Sequence, residues 1–161
     1  MFNDELLDLA DQVLKAARER GVRIATAESC TGGLVAGVLT EIAGSSDVVE
    51  CGYVTYANAA KQRMLGVPEE MLAEHGAVSR QVAEAMAVGA LENADLSVAI
   101  TGIAGPGGGS TEKPVGLVYF ATAARDGAVM AQKVRFGDIG RSDVRRHAVK
   151  TALTLLLERL G

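Results

Sequence analysis

Thr26-Ala27-Glu28-Ser29-Cys30-Thr31-Gly32-Gly33 follows a short apolar run, Val22 to Ala25, and precedes a helix-like run, Leu34 to Ile42. The stretch predicts a strand that turns into a helix, with two hydroxyls, a thiol and paired glycines at the turn. The first N–H groups of a helix have no partners inside it and point at whatever lies in front of them. Glycine lets the chain bend sharply and lets a ligand approach the backbone. A nucleophile at such a turn has oxyanion donors beside it. The alternative is that Ser29 or Thr31 only caps the helix, the usual task of these residues before an apolar run.

Working outward, Leu6, Leu7, Val13, Leu14 and Ala17 recur at helical spacing, and Gly21 is a natural stop. Val22 to Thr26 reads as a strand, Gly32 to Ala43 as a helix and Val48 to Tyr56 as a second strand. Asn58 is placed to cap a short helix that carries Lys61 and ends at Gly66 and Pro68, and Glu69 to Glu74 reads as another. Ser79 caps a helix predicted over Arg80 to Ala94. Leu96 to Thr101 is nearly all apolar, as expected of a central strand covered on both faces. Val115 to Ala124 and Ala128 to Phe136 form a hairpin around Asp126-Gly127. A helix over Arg141 to Leu160 ends the chain. Five strands alternating with helices predict a single α/β domain over residues 1–161, a sandwich built on a mostly parallel, mixed sheet.

Composition narrows the function. A net charge of −4 and the lack of a dense Lys/Arg block argue against nucleic acid as a partner. No apolar run approaches the roughly 18 residues of a membrane span, and the acidic start, Met1 to Glu5, is unlike a signal peptide. Two cysteines, Cys30 and Cys51, cannot build a disulfide framework, and His75 and His147 lack ligand spacing. Free thiols, a cytoplasmic location, no metal and no cofactor are expected.

Three further groups could carry chemistry. Tyr56 ends a strand and Lys61 lies in the first turn of the next helix, at the strand edge that holds Ser29. Parallel α/β sheets bind ligands at that edge. A helix N-terminus disfavours a cation and so favours the neutral amine that a general base must be, although a lone lysine is usually a solvated surface charge. The glycine-rich loop Thr101 to Thr111 suits backbone wrapped round a phosphate or oxyanion, but matches neither a P-loop nor the dinucleotide fingerprint. Arg141 and Arg145 share a helix face, where an anion between them would relieve their repulsion; Asp143 or solvent could do the same. Cys30 is a rival nucleophile.

Thr26 to Gly33, Gly52 to Tyr56 with Lys61, Gly76-Ala77-Val78-Ser79, Thr101 to Pro106 and Lys113-Pro114-Val115-Gly116 occur in that order. Together they resemble the CinA C-terminal-domain family, the nicotinamide-nucleotide amidohydrolases, in stand-alone form and over nearly the whole chain. The resemblance implies a three-layer α/β/α fold and metal-independent hydrolysis of nicotinamide mononucleotide to nicotinate mononucleotide and ammonia, in pyridine-nucleotide recycling. It places the catalytic serine, tyrosine and lysine on Ser29, Tyr56 and Lys61.

On this reading Ser29 attacks the carboxamide, Lys61 is the base and Tyr56 relays the proton. Cys30, Thr31, Gly32, Gly33, Thr101, Gly102, Ala104 and Gly105 surround the oxyanion and substrate, and Arg141 and Arg145 take the phosphate. The expected partner is a small nucleotide, and the expected assembly is a homodimer or higher homo-oligomer. A noncatalytic nucleotide- or phosphate-sensing domain, and an amidase of another substrate, remain the alternatives.

Overall fold

The computed structural model describes residues 1–161. Its first helix, α1 (Asp4–Arg20), is capped by the Asn3 side chain and stopped by Gly21. Then come β1 (Ile24–Glu28), α2 (Leu34–Glu41), a short 3-10 turn over Ser45–Asp47, β2 (Val49–Val54), α3 (Asn58–Leu65), α4 (Glu69–His75) and α5 (Arg80–Gly89). The chain closes with β3 (Leu96–Gly102), β4 (Leu117–Ala124), β5 (Val129–Arg135) and α6 (Arg141–Leu160).

The strands form one mixed sheet in the order β2-β1-β3-β4-β5. β1 pairs in parallel with β2 and β3, whereas β4 runs antiparallel to both β3 and β5. Only β4 therefore opposes the common direction, which is the mostly parallel α/β sheet expected from the alternation of strands and helices.

Side chains alternate across each strand, so each strand feeds two cores. Ile24, Val98, Ile100, Val118 and Phe120 pack with α1, α2 and α6 on one face. Ala25, Ala27, Ala99, Ala121 and Ala123 meet the α3–α5 layer on the other. The alanine face lets those helices sit close to the sheet. Gly89 of α5 goes further: a Cβ there would lie 1.9 Å from the Leu65 carbonyl oxygen. These two cores give the three-layer α/β/α sandwich.

Several boundaries shift from the sequence expectation for local reasons. α2 begins at Leu34, because Gly32 and Gly33 hold φ of +59° and +95°, outside the right-handed helical region. Ala57, not Asn58, is the N-cap of α3, with no side-chain cap bond. α5 stops at Gly89, and Ala90 to Asn93 form turns that lead towards β3.

The topology also fixes where a ligand can sit. From β1 the chain crosses through α2 to β2, then returns through α3–α5 to β3 on the other side of β1. Such a reversal opens a crevice at the carboxyl ends of the strands. The segments that follow β1, β2 and β3 all emerge there.

Candidate active site

A cavity of about 260 Å³ occupies this crevice. Ser29 follows β1, Tyr56 follows β2, and Ile103, Ala104 and Gly105 follow β3; Lys61 and Arg141 close the lining.

The turn that carries Ser29 is held by a residue that sequence reasoning passed over. Ile24, Thr26 and Glu28 share the face of β1 that looks toward α2, so the last of them meets the start of that helix. The Glu28 carboxylate is fully buried and accepts from the N–H groups of Gly33, Val35 and Ala36 at 3.1, 3.1 and 2.9 Å. A carboxylate here pairs with the positive end of the helix and satisfies its otherwise orphaned donors. Neither Ser29 nor Thr31 caps α2. Glu28 does, five residues ahead of the first donor it satisfies.

That cap overturns one expected oxyanion arrangement. Gly33 N–H is committed to Glu28, and Gly32 N–H donates to the Ser29 carbonyl at 3.0 Å. Neither can hold an oxyanion without breaking the turn. The N–H groups of Cys30, Ala104 and Gly105 donate to no backbone carbonyl, and all three residues line the cavity. The Thr31 hydroxyl is buried without a partner, and Thr31 lies outside the lining. Thr101 and Gly102 do line it, but the Thr101 hydroxyl is spent on the Ala77 carbonyl at 2.8 Å, which fixes the neighbouring loop.

Lys61 is 1% exposed, an extreme position for a lysine. Its Nζ lies 3.0 Å from Ser29 Oγ and donates to the Thr55 carbonyl at 2.7 Å. Desolvation lowers its pKa from the ordinary lysine value, against a smaller opposing pull from Cys30. The Thr55 bond fixes one N–H, so a neutral amine can turn its lone pair to the serine. Ser29 is itself almost buried, and its N–H is tied to the Ile100 carbonyl at 2.9 Å. The serine and lysine therefore meet directly and need no relay between them.

Tyr56 lines the same cavity but makes no hydrogen bond to that pair. Its side chain is 60% exposed, and its hydroxyl accepts from Arg141 at 2.9 Å. The second fork of Arg141 donates to the Gly105 carbonyl at 2.9 Å, so one guanidinium ties the β2 exit to the glycine loop at the cavity mouth. Arg145 does not join it. Its Nε and one terminal nitrogen donate to the carbonyls of Cys30 and Thr31 at 3.1 and 3.3 Å, and it lies outside the lining. The two arginines expected to share an anion are thus divided: Arg141 faces the cavity, and Arg145 braces the turn at Cys30 and Thr31.

Cys30 is the weaker candidate nucleophile. Burial pushes its pKa up to about 12, so it stays protonated at neutral pH. A lysine amine beside a serine hydroxyl, buried at the end of a parallel strand, can supply a base to a hydroxyl nucleophile, and the helix cap is supplied by Glu28 instead.

The CinA C-terminal domain model matches residues 6–160. The chain belongs to the CinA C-terminal domain family. Within this family it is 52% identical over 162 residues to the nicotinamide-nucleotide amidohydrolase PncC of Escherichia coli K12, covering 99% of this chain and 97% of that protein. A CinA-like protein of Mycobacterium sp. strain JLS is 53% identical over 99% of this chain, which corresponds to 38% of that longer protein. Among solved structures, the competence/damage inducible protein CihA from Agrobacterium tumefaciens superposes with a TM-score of 0.96 at 55% identity, covering 98% of this chain and 97% of its own.

Proposed function

We propose that this chain hydrolyses the carboxamide of nicotinamide mononucleotide to nicotinate mononucleotide and ammonia through an acyl-enzyme on Ser29. The reaction class rests on its likeness to the Escherichia coli amidohydrolase. The mechanism rests chiefly on one observation: the buried Lys61 amine at 3.0 Å from Ser29 Oγ.

Neutral Lys61 takes the Ser29 proton as Oγ bonds to the amide carbon, and the carbonyl oxygen becomes an oxyanion. The N–H groups of Cys30, Ala104 and Gly105 are its available donors, with Cys30 in the position directly after the nucleophile. Lys61 then gives the proton to the departing nitrogen, the C–N bond breaks and ammonia leaves. Water attacks the ester as Lys61 takes its proton, the acyl C–O bond breaks, and that proton returns to Ser29. The product acid is released as its carboxylate.

Tyr56 is not the proton relay in this scheme. With Arg141 it forms the outer wall, where the nucleotide's phosphate meets a guanidinium. Binding energy from that remote group positions the amide over Ser29.

The test is ammonia release from nicotinamide mononucleotide, with chelator-treated enzyme and Ser29→Ala run alongside. Release that survives the chelator and is lost in Ser29→Ala supports a metal-independent serine amidase. No release from the wild type, together with tight nucleotide binding by calorimetry, turns the reading to a sensing domain.

A further inference from the structure

A second cavity, of about 480 Å³, lies on the α5 side of the sheet against edge strand β5. Its lining includes His75, Arg80, Lys113 and Lys133 but no aspartate or glutamate. The chain carries an excess of acids, with a net charge of −4, yet gathers four basic residues around one concavity. The three cations among them, Arg80, Lys113 and Lys133, repel one another unless an anion enters between them. Two acids touch these residues from outside the lining: Glu84 pairs with Arg80 at 2.8 Å, and Glu74 lies 3.8 Å from the His75 ring. Neither meets Lys113 or Lys133. Lys133 sits across the ladder from Tyr119, with its ammonium 6.0 Å from the ring centroid, and Lys113 donates to the His75 carbonyl.

We propose that this cavity binds a phosphorylated small molecule of nucleotide size, at a site separate from Ser29 but joined to it by the segment Gly76-Ala77-Val78. Its volume falls within the usual range for small-molecule sites. Val78 lines both cavities, and Ala77 lines the catalytic one. The segment is fastened at four points: Lys113 holds the carbonyl just before it, the Gly76 N–H donates to the Leu72 carbonyl at 2.9 Å, the Ser79 hydroxyl holds the Gly76 carbonyl at 2.8 Å, and the Thr101 hydroxyl holds the Ala77 carbonyl at 2.8 Å. An anion in the basic cavity competes for the Lys113 ammonium. It thereby loosens the one fastening of this segment that comes from the basic cavity, and weakens substrate binding at the wall it shares with the catalytic cavity.

The chain provides its own probe, because it has only two histidines. His75 lines the basic cavity, whereas His147 lies on α6 against Phe136. Inorganic pyrophosphate titrated into the full-length protein at constant ionic strength should move the His75 ring resonance along a saturating curve and leave His147 in place. Lys133→Ala removes one charged partner and should weaken that binding about tenfold. A motionless His75, equal movement of both histidines, or unchanged affinity in Lys133→Ala overturns the site.

The link to catalysis rests on the amidase reading and is tested separately from the resonance shift. Pyrophosphate that competes inside the catalytic cavity raises KM for nicotinamide mononucleotide equally in wild type and Lys133→Ala. The proposal expects a larger rise in the wild type, with kcat in the absence of pyrophosphate unaltered by the substitution. Equal rises overturn the link while leaving the amidase reading standing.

Discussion

The two walls of the catalytic cavity are built in opposite ways. On the inner wall, Ser29 and Lys61 are buried and held by hydrogen bonds from the chain itself, with the buried Glu28 cap fixing the turn behind them. On the outer wall, Tyr56 and Arg141 are exposed and hold each other across the mouth. Burial on the inner side lowers the lysine pKa and holds Lys61 Nζ against Ser29 Oγ before any ligand arrives. Exposure on the outer side leaves an arginine whose charge is accessible to an incoming anion. Substitutions inside should therefore act on kcat, and substitutions outside on KM.

The largest effect is expected at Ser29. Ser29→Ala should lower kcat by roughly three orders of magnitude or more with the circular dichroism spectrum unchanged. A dead Cys30→Ala beside an active Ser29→Ala would instead place the chemistry on the thiol.

Lys61 follows. Because burial lowers its pKa, the neutral base is populated below the ordinary lysine range, and the acidic limb of kcat against pH should follow that lowered value. In Lys61→Arg the limb should vanish along with most of the activity, since arginine stays protonated. An active variant with an unchanged limb would remove Lys61 from the role of base. Stability adds a sign of its own. Between the lowered folded value and the ordinary unfolded one, the unfolded chain binds more protons, so wild-type stability rises with pH through that interval. Lys61→Met should abolish this rise and unfold at a higher temperature near neutral pH, which chemical denaturation across pH would show.

How much of this was legible in the chain depended on whether a role is local. The strand-turn-helix at residues 22–42 and the buried β3 could be read from apolar runs and glycines, because burial on both faces writes itself into consecutive residues. Ser29 and Lys61 could be placed at one sheet edge because each follows the carboxyl end of a strand, though their direct contact could not be read. Glu28 could not be read as a cap, since its helix starts beyond a glycine turn and the usual signature puts the capping residue directly before the first turn. The two arginines misled for a related reason. Their i,i+4 spacing puts them on one face of α6, but that face spans the cavity mouth at Arg141 and the back of the nucleophile turn at Arg145. Nothing in the spacing says where the helix crosses the edge of the site.

Glu28 tests whether the inner wall is organised by its cap. Glu28→Gln keeps the size of the side chain but removes the charge and turns an amide N–H₂ toward backbone donors. A cost of about 2 kcal/mol in unfolding free energy is expected, on the scale of losing hydrogen bonds to a charged group. The drop in kcat should exceed any change in KM, because the turn that carries Ser29 is loosened while the outer wall is intact. A variant as stable as the wild type would mean that the three N–H groups are satisfied without the charge.

The smallest effect separates the two arginines and so divides the walls most finely. Arg141→Ala removes the accessible cation and should raise KM for nicotinamide mononucleotide about tenfold, as expected for one charge-assisted contact, while KM for the riboside lacking phosphate moves little. Arg145→Ala removes the brace behind Cys30 and Thr31 and should lower kcat on both substrates alike, because the brace knows nothing of the phosphate. If both variants instead raised KM for the nucleotide alone, the guanidinium of Arg145 would have to leave the two carbonyls and turn to the ligand. The division into a fixed inner wall and a recognising outer one would then fail at that residue.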